Sequence, residues 1–161
     1  MAAEPDRDEG ERERLIEEFG QVMQAYQRSA DTLDQRLADR LGLNRTDLRC
    51  LELIFAPAPL SPGELAAAAG LTTGGVTTAI DRLERTGYAT RVRDTKDRRR
   101  VTVQPTDKSY AVLTEVFTPI FEEGAAYLRQ FDIPTLRLMT EFMRFAARQQ
   151  ETHATRLAGH E

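Results

Sequence analysis

The chain has 161 residues, 40% of them hydrophobic and 30% charged, with a formal net charge of −4. That length suits one well-buried core, or one domain with helical extensions. No apolar run nears the ~18 residues of a membrane span and no secretory start is present, so a cytoplasmic protein with no membrane partner is expected; a single cysteine, Cys50, excludes an intramolecular disulfide, and with only His153 and His160 besides, no metal or other cofactor is expected.

Residues 1–10 are polar and lack apolar periodicity, which predicts a disordered acidic tail. From residue 11 to residue 42, Leu15, Ile16, Phe19, Val22, Met23, Tyr26, Ala30, Leu33, Leu37 and Leu41 recur at three- and four-residue steps, the period of an amphipathic helix. A helix of ~30 residues is ~45 Å long. A small domain cannot cover that length, so part of the stripe is expected to pack on another chain. Gly42 is placed to end this helix, and Asn44 and Asp47 open a second one carrying Leu48, Leu51, Ile54 and Phe55. Cys50 lies there, as a small buried hydrophobe or, alternatively, as the thiol of an oxidant sensor.

After the break at Ala56-Pro57-Ala58-Pro59, Ser61, Pro62 and Glu64 make a capping box with proline at the first helical position. The short helix they open stops at Gly70, and Thr72 caps the next, over residues 73–86. Two helices joined by a short glycine-containing turn form a helix-turn-helix. Val76, Ala79, Ile80 and Leu83 give the second helix an inward face. Its other face carries Gly74, Thr78, Asp81, Arg82 and Arg85, flanked by Gly75 and Thr77, and is either a solvated surface or a DNA-reading one.

Gly87 ends that helix, and residues 89–93 and 99–104 alternate as two strands around Val92, Val101 and Val103. From Arg82 to Arg100 the cations Arg82, Arg85, Arg91, Arg93, Lys96, Arg98, Arg99 and Arg100 outnumber Glu84, Asp94 and Asp97. The local field, not the net charge, decides where a polyanion sits, so this hairpin suits phosphates or a minor groove. Thr106 caps a helix with Tyr110, Leu113, Val116, Phe117, Ile120, Phe121 and Leu128, which Pro119 is expected to kink. A last helix carries Leu136, Met139, Phe142, Met143 and Ala146. The expected fold is mainly α with a small β-wing: an N-terminal dimerisation helix (11–42), a winged helix-turn-helix DNA-binding domain (43–106) and C-terminal dimerisation helices (107–161).

Three stretches, Leu65-Ala66-Ala67, the run VTTAIDRLERTGY from Val76 to Tyr88, and Arg93-Asp94-Thr95-Lys96-Asp97-Arg98-Arg99-Arg100, together resemble the MarR family of transcriptional regulators. The resemblance covers the chain from about Glu11. It implies a homodimer with interlocked first, fifth and sixth helices, bound to double-stranded DNA at a pseudo-palindromic operator. It further implies a repressor, released by a small aromatic or phenolic ligand.

In the recognition helix the positions matching the family are Thr73, Gly74, Thr77 and Thr78 as base readers, beside Thr72 and Gly75, with Arg82 as a phosphate contact. In the wing, Arg91, Arg93, Lys96, Asp97, Arg98, Arg99 and Arg100 are expected to contact DNA, Asp97 and Arg99 being the residues that match the family's wing motif. By resemblance Arg99 enters the minor groove, with Arg98 its competitor, and Asp97 orients a neighbouring arginine. By analogy with the family's cleft, Met23, Tyr26, Arg49, Leu53 and Phe117 border a ligand pocket, or else they are core or interface residues. The chain departs from the family at Gly74 and Gly75, where small polar residues are usual, at Pro105 for leucine and at Ser109 for glycine. A helical interaction module with non-specific DNA binding is the remaining alternative. No catalytic constellation or phosphate loop occurs, so an enzyme is not expected.

Overall fold

The computed structural model describes residues 4–93 and 100–158. Helix α1 spans Glu4–Leu41, ~57 Å of helix. The tail expected to be disordered through residue 10 is therefore helical from Glu4. Pro5 falls in the first turn, where its missing N–H is no loss, and the acids Asp8 and Glu9 lie near the positive end of the helix dipole. Apolar periodicity carries no signal for a stretch stabilised in this way.

The chain divides into two compact units, Met1–Tyr110 and Ala111–Glu161. In the first, α1 is followed by α2 (Arg45–Ile54), α3 (Pro62–Ala69), α4 (Thr73–Thr86) and the strands β1 (Ala89–Arg93) and β2 (Val101–Pro105). The core is built from Leu37, Ala38 and Leu41 at the end of α1, Leu48, Leu51 and Ile54 of α2, Leu65 of α3, and Val76, Ala79, Ile80 and Leu83 of α4, with Val103 beneath them. Only the last turns of α1 join it. Leu15, Ile16, Val22 and Tyr26 stay exposed along the rest of that helix.

The helix-turn-helix is set by its caps. Ser61 and Glu64 close the capping box expected of them, with Pro62 just inside the helix. Gly70 ends α3 with a left-handed φ of 68°, a conformation that disfavours a side chain. Thr72 then accepts the N–H of Gly75 to open α4. The strands pair antiparallel, with Ala89 opposite Pro105, Arg91 opposite Val103 and Arg93 opposite Val101. Leu60, just before the α3 capping box, adds a bridge on the other side of Val103, whose N–H donates to the Leu60 carbonyl at 2.8 Å.

Helix α5 (Asp107–Leu128) continues through Pro119, and α6 spans Ile133–Ala158. Asp132 caps α6 by accepting the Thr135 N–H at 2.9 Å. Among the described residues of the second unit no hydrophobic side chain is fully buried, while Phe121, Tyr127, Ile133, Leu138 and Phe145 are more than half exposed. So much apolar surface on two long helices marks an interaction face.

Candidate nucleic-acid interface

The exposed tip of α4 is made of Thr72, Thr73, Gly74, Thr77 and Thr78, with Gly75 half-buried behind them. The Thr77 hydroxyl donates to the Thr73 carbonyl at 2.8 Å and that of Thr78 to the Gly74 carbonyl at 2.9 Å. Their protons are thus spent on the helix. What remains for a ligand is the methyl groups and the oxygen lone pairs, a surface matched to thymine methyls and base-edge donors and unable to make the two-point contact that guanine takes from arginine. Around Gly74 a Cβ would meet nothing within 4 Å, so the backbone there is open to close approach.

Two arginines expected on DNA are half-buried and paired with carboxylates of their own lobe. Arg82 donates from Nε to Asp47 Oδ2 at 2.8 Å and from Nη2 to Asp47 Oδ1 at 2.7 Å, a two-point fork across α4 and α2. Asp47 is nearly fully buried, and these bonds hold the Arg82 guanidinium even more firmly in its charged form. Arg91 of β1 pairs with Asp81 at 2.8 Å and with Glu84, both on α4. Glu84 also accepts the Arg91 backbone N–H at 2.8 Å. Sequence reasoning missed these pairings because it sees residue types, and Asp47 lies 35 positions from Arg82. In sequence Asp47 marks only the start of α2, where Asn44 does accept its N–H.

Arg93 and Arg100 are exposed at the ends of the strands, with the Arg100 guanidinium 3.9 Å from Glu64. Lys96, Asp97, Arg98 and Arg99, expected at the wing tip, lie outside the described residues.

Cys50 is fully buried on α2, and its desolvation, reinforced by the Asp47 charge, pushes the thiol above its ordinary range. That is the reverse of the exposed, low-pKa thiolate a redox sensor uses. Of the residues matched to a ligand cleft, Met23, Tyr26, Arg49 and Leu53 belong to the first unit and Phe117 to the second. Arg49 lines a polar cleft with Asp34, Arg45, Thr46, Leu48 and Glu52, which excludes the other three from the first unit.

A capped helix-turn-helix with a polar, glycine-opened recognition helix and an antiparallel wing defines a winged-helix DNA-binding protein. The MarR family model matches residues 43–101. The HTH-type transcriptional regulator YcgE of Bacillus subtilis is 37% identical over 123 residues, 76% of this chain and 80% of that protein. A MarR family protein from Bacillus stearothermophilus superposes with a TM-score of 0.64 at 19% identity, over 86% of this chain and 97% of the other. The transcriptional regulator BldR of Sulfolobus solfataricus does so at 0.51 and 26% identity, over 84% and 96%. The chain belongs to the MarR family, and is a transcriptional regulator, not an enzyme.

Proposed function

We propose that the chain works as a homodimeric repressor that binds a pseudo-palindromic operator and leaves it when a small aromatic or phenolic ligand binds. The observation that carries this is the α4 tip, whose exposed threonines and open glycine belong to the helix that Arg91 of β1 ties to the wing. Dimerisation is supported by the uncovered apolar faces of α1, α5 and α6. A two-fold dimer presents two recognition helices one DNA turn apart, ~34 Å, to successive major grooves.

In this reading Thr73, Gly74, Thr77 and Thr78 read bases, and Arg93, Lys96, Arg98, Arg99 and Arg100 supply the wing's contacts to backbone and minor groove. A ligand that prefers a different spacing of the two lobes lowers DNA affinity by that difference in binding. The reading is tested by selecting duplexes from a random pool with the purified protein and footprinting the winners. One protected palindrome, bound by a dimer in sedimentation, supports it. Uniform protection without sequence preference would replace it with a non-specific DNA-binding module.

A further inference from the structure

We infer that Asp47 is a positioning residue for DNA recognition: its carboxylate grips Arg82 and thereby fixes the rotation of α4, and Arg82 serves this clamp and does not neutralise a phosphate. The inference rests on the DNA-binding reading above. Its geometric basis is the two-point fork, with both Asp47 oxygens engaged at 2.7 and 2.8 Å by donors from one guanidinium. The apolar inner face of α4, Val76, Ala79, Ile80 and Leu83, is buried and resists withdrawal from the core, but apolar burial is non-directional and does not by itself set the rotation of the helix. A planar fork does, since both bonds hold only at one relative orientation of the two helices.

Asp47 is well placed to be the fixed partner. It sits in the first turn of α2, its own N–H is taken by Asn44, and its side chain is only 2% exposed. Arg82 reaches it from the third turn of α4, the same helix whose exposed first turn carries Thr73 and Gly74. A roll at Arg82 therefore swings the reading threonines around the helix axis. The Asp47 charge also offsets that of Arg82, so little field is left for a phosphate.

Salt dependence separates the two roles. A phosphate contact contributes about one unit to the slope of log affinity against log salt, whereas a positioning group contributes none. The probes are a duplex selected from a random pool by the wild-type protein and an unselected duplex of equal length, titrated by fluorescence anisotropy over a salt series. Removing one partner alone strands a charge, so the decisive variant is the double substitution Asp47→Leu/Arg82→Met, which puts apolar groups of similar volume in place of the pair and conserves net charge.

The expected result is a folded dimer with the wild-type salt slope, whose preference for the selected duplex falls by roughly tenfold, about the value of one base-pair contact. Asp47→Asn, which loosens the clamp and leaves Arg82 charged, is expected to lower the same preference. A slope reduced by about one unit with both duplexes weakened in parallel, an unchanged preference in the double variant, or an unchanged or higher preference for the selected duplex in Asp47→Asn would each overturn the inference. A wild-type protein that enriches no duplex overturns the DNA-binding reading and this inference with it.

Discussion

The Thr106 hydroxyl donates to the Gly87 carbonyl at 2.7 Å, so the residue that precedes α5 closes the end of the recognition helix. Lys108 adds a second tie, donating from Nζ to the Thr86 carbonyl at 2.7 Å while lying 4.2 Å from the centre of the Tyr88 ring. Both bonds satisfy carbonyls that a helix end leaves without partners. Thr106→Val keeps the shape and removes the donor, and is expected to cost about 1–2 kcal/mol in urea unfolding. Lys108→Met, at an exposed site, is expected to cost about 0.5 kcal/mol. Equal stability of Thr106→Val and wild type would show the tie to be incidental.

Two glycines of this region respond in opposite directions. Gly87 has a φ of 76°, and Gly87→Ala is expected to destabilise by about 1–2 kcal/mol because a left-handed backbone crowds Cβ. Gly74 lies in α4 with open space around it, so Gly74→Ala is expected to stabilise by up to about 1 kcal/mol while weakening DNA binding through its new methyl group. At Gly75 the added Cβ would lie 3.3 Å from the Thr72 hydroxyl that caps the helix, which offsets the gain. Thermal unfolding and anisotropy on the same three variants check the pattern.

Much of this region was legible in the sequence because its signals are local. Ser61, Pro62 and Glu64 form a capping box within four consecutive residues, and Gly70, Thr72 and Gly87 punctuate helices at the positions where only certain residue types fit. The start of α1 was not legible by the same criterion: its residues have no inward face to show. Neither was the fate of Arg82 and Arg91, since a cation on a helix face or strand looks the same in sequence whether a phosphate or a distant carboxylate will claim it. Leu60 likewise became a strand partner only through the position of Val103 in space.

Stability should fall on the acid side through specific carboxylates. Glu64 is held below its ordinary value near 4.5 by the Ser61 backbone N–H and then the Ser61 hydroxyl, and Asp132 below 3.8 by hydrogen bonds from Thr135. Each group has a lower pKa folded than unfolded, so its contribution is complete above the unfolded value and is lost as pH falls through the folded one. The expected outcome is a decline in unfolding temperature starting below about pH 4.5, shallower in the variant Glu64→Gln/Asp132→Asn. Parallel acid limbs for variant and wild type would refute the assignment.

Burial of Cys50 predicts an inert thiol. Folded protein at neutral pH is expected to react with a thiol reagent no faster than its rate of opening, and unfolded protein to react at once. DNA binding is expected to survive peroxide in wild type as fully as in Cys50→Ser. Release by peroxide in the wild type alone would restore the sensor reading.

The last prediction sets Arg91 against Arg93, neighbours but one on β1 with opposite surroundings. Arg91 spends its guanidinium on Asp81 and Glu84 of α4, while Arg93 is exposed at the end of the strand. If β1 met DNA uniformly, either substitution to alanine would lower the salt slope. The pairing predicts a difference instead: Arg93→Ala lowers the slope by about one unit, and Arg91→Ala leaves the slope intact but weakens binding, because the wing loses its fixed angle to α4. An anisotropy salt series on both variants measures all of this, and a reduced slope for Arg91→Ala matching that of Arg93→Ala would place Arg91 on the DNA after all.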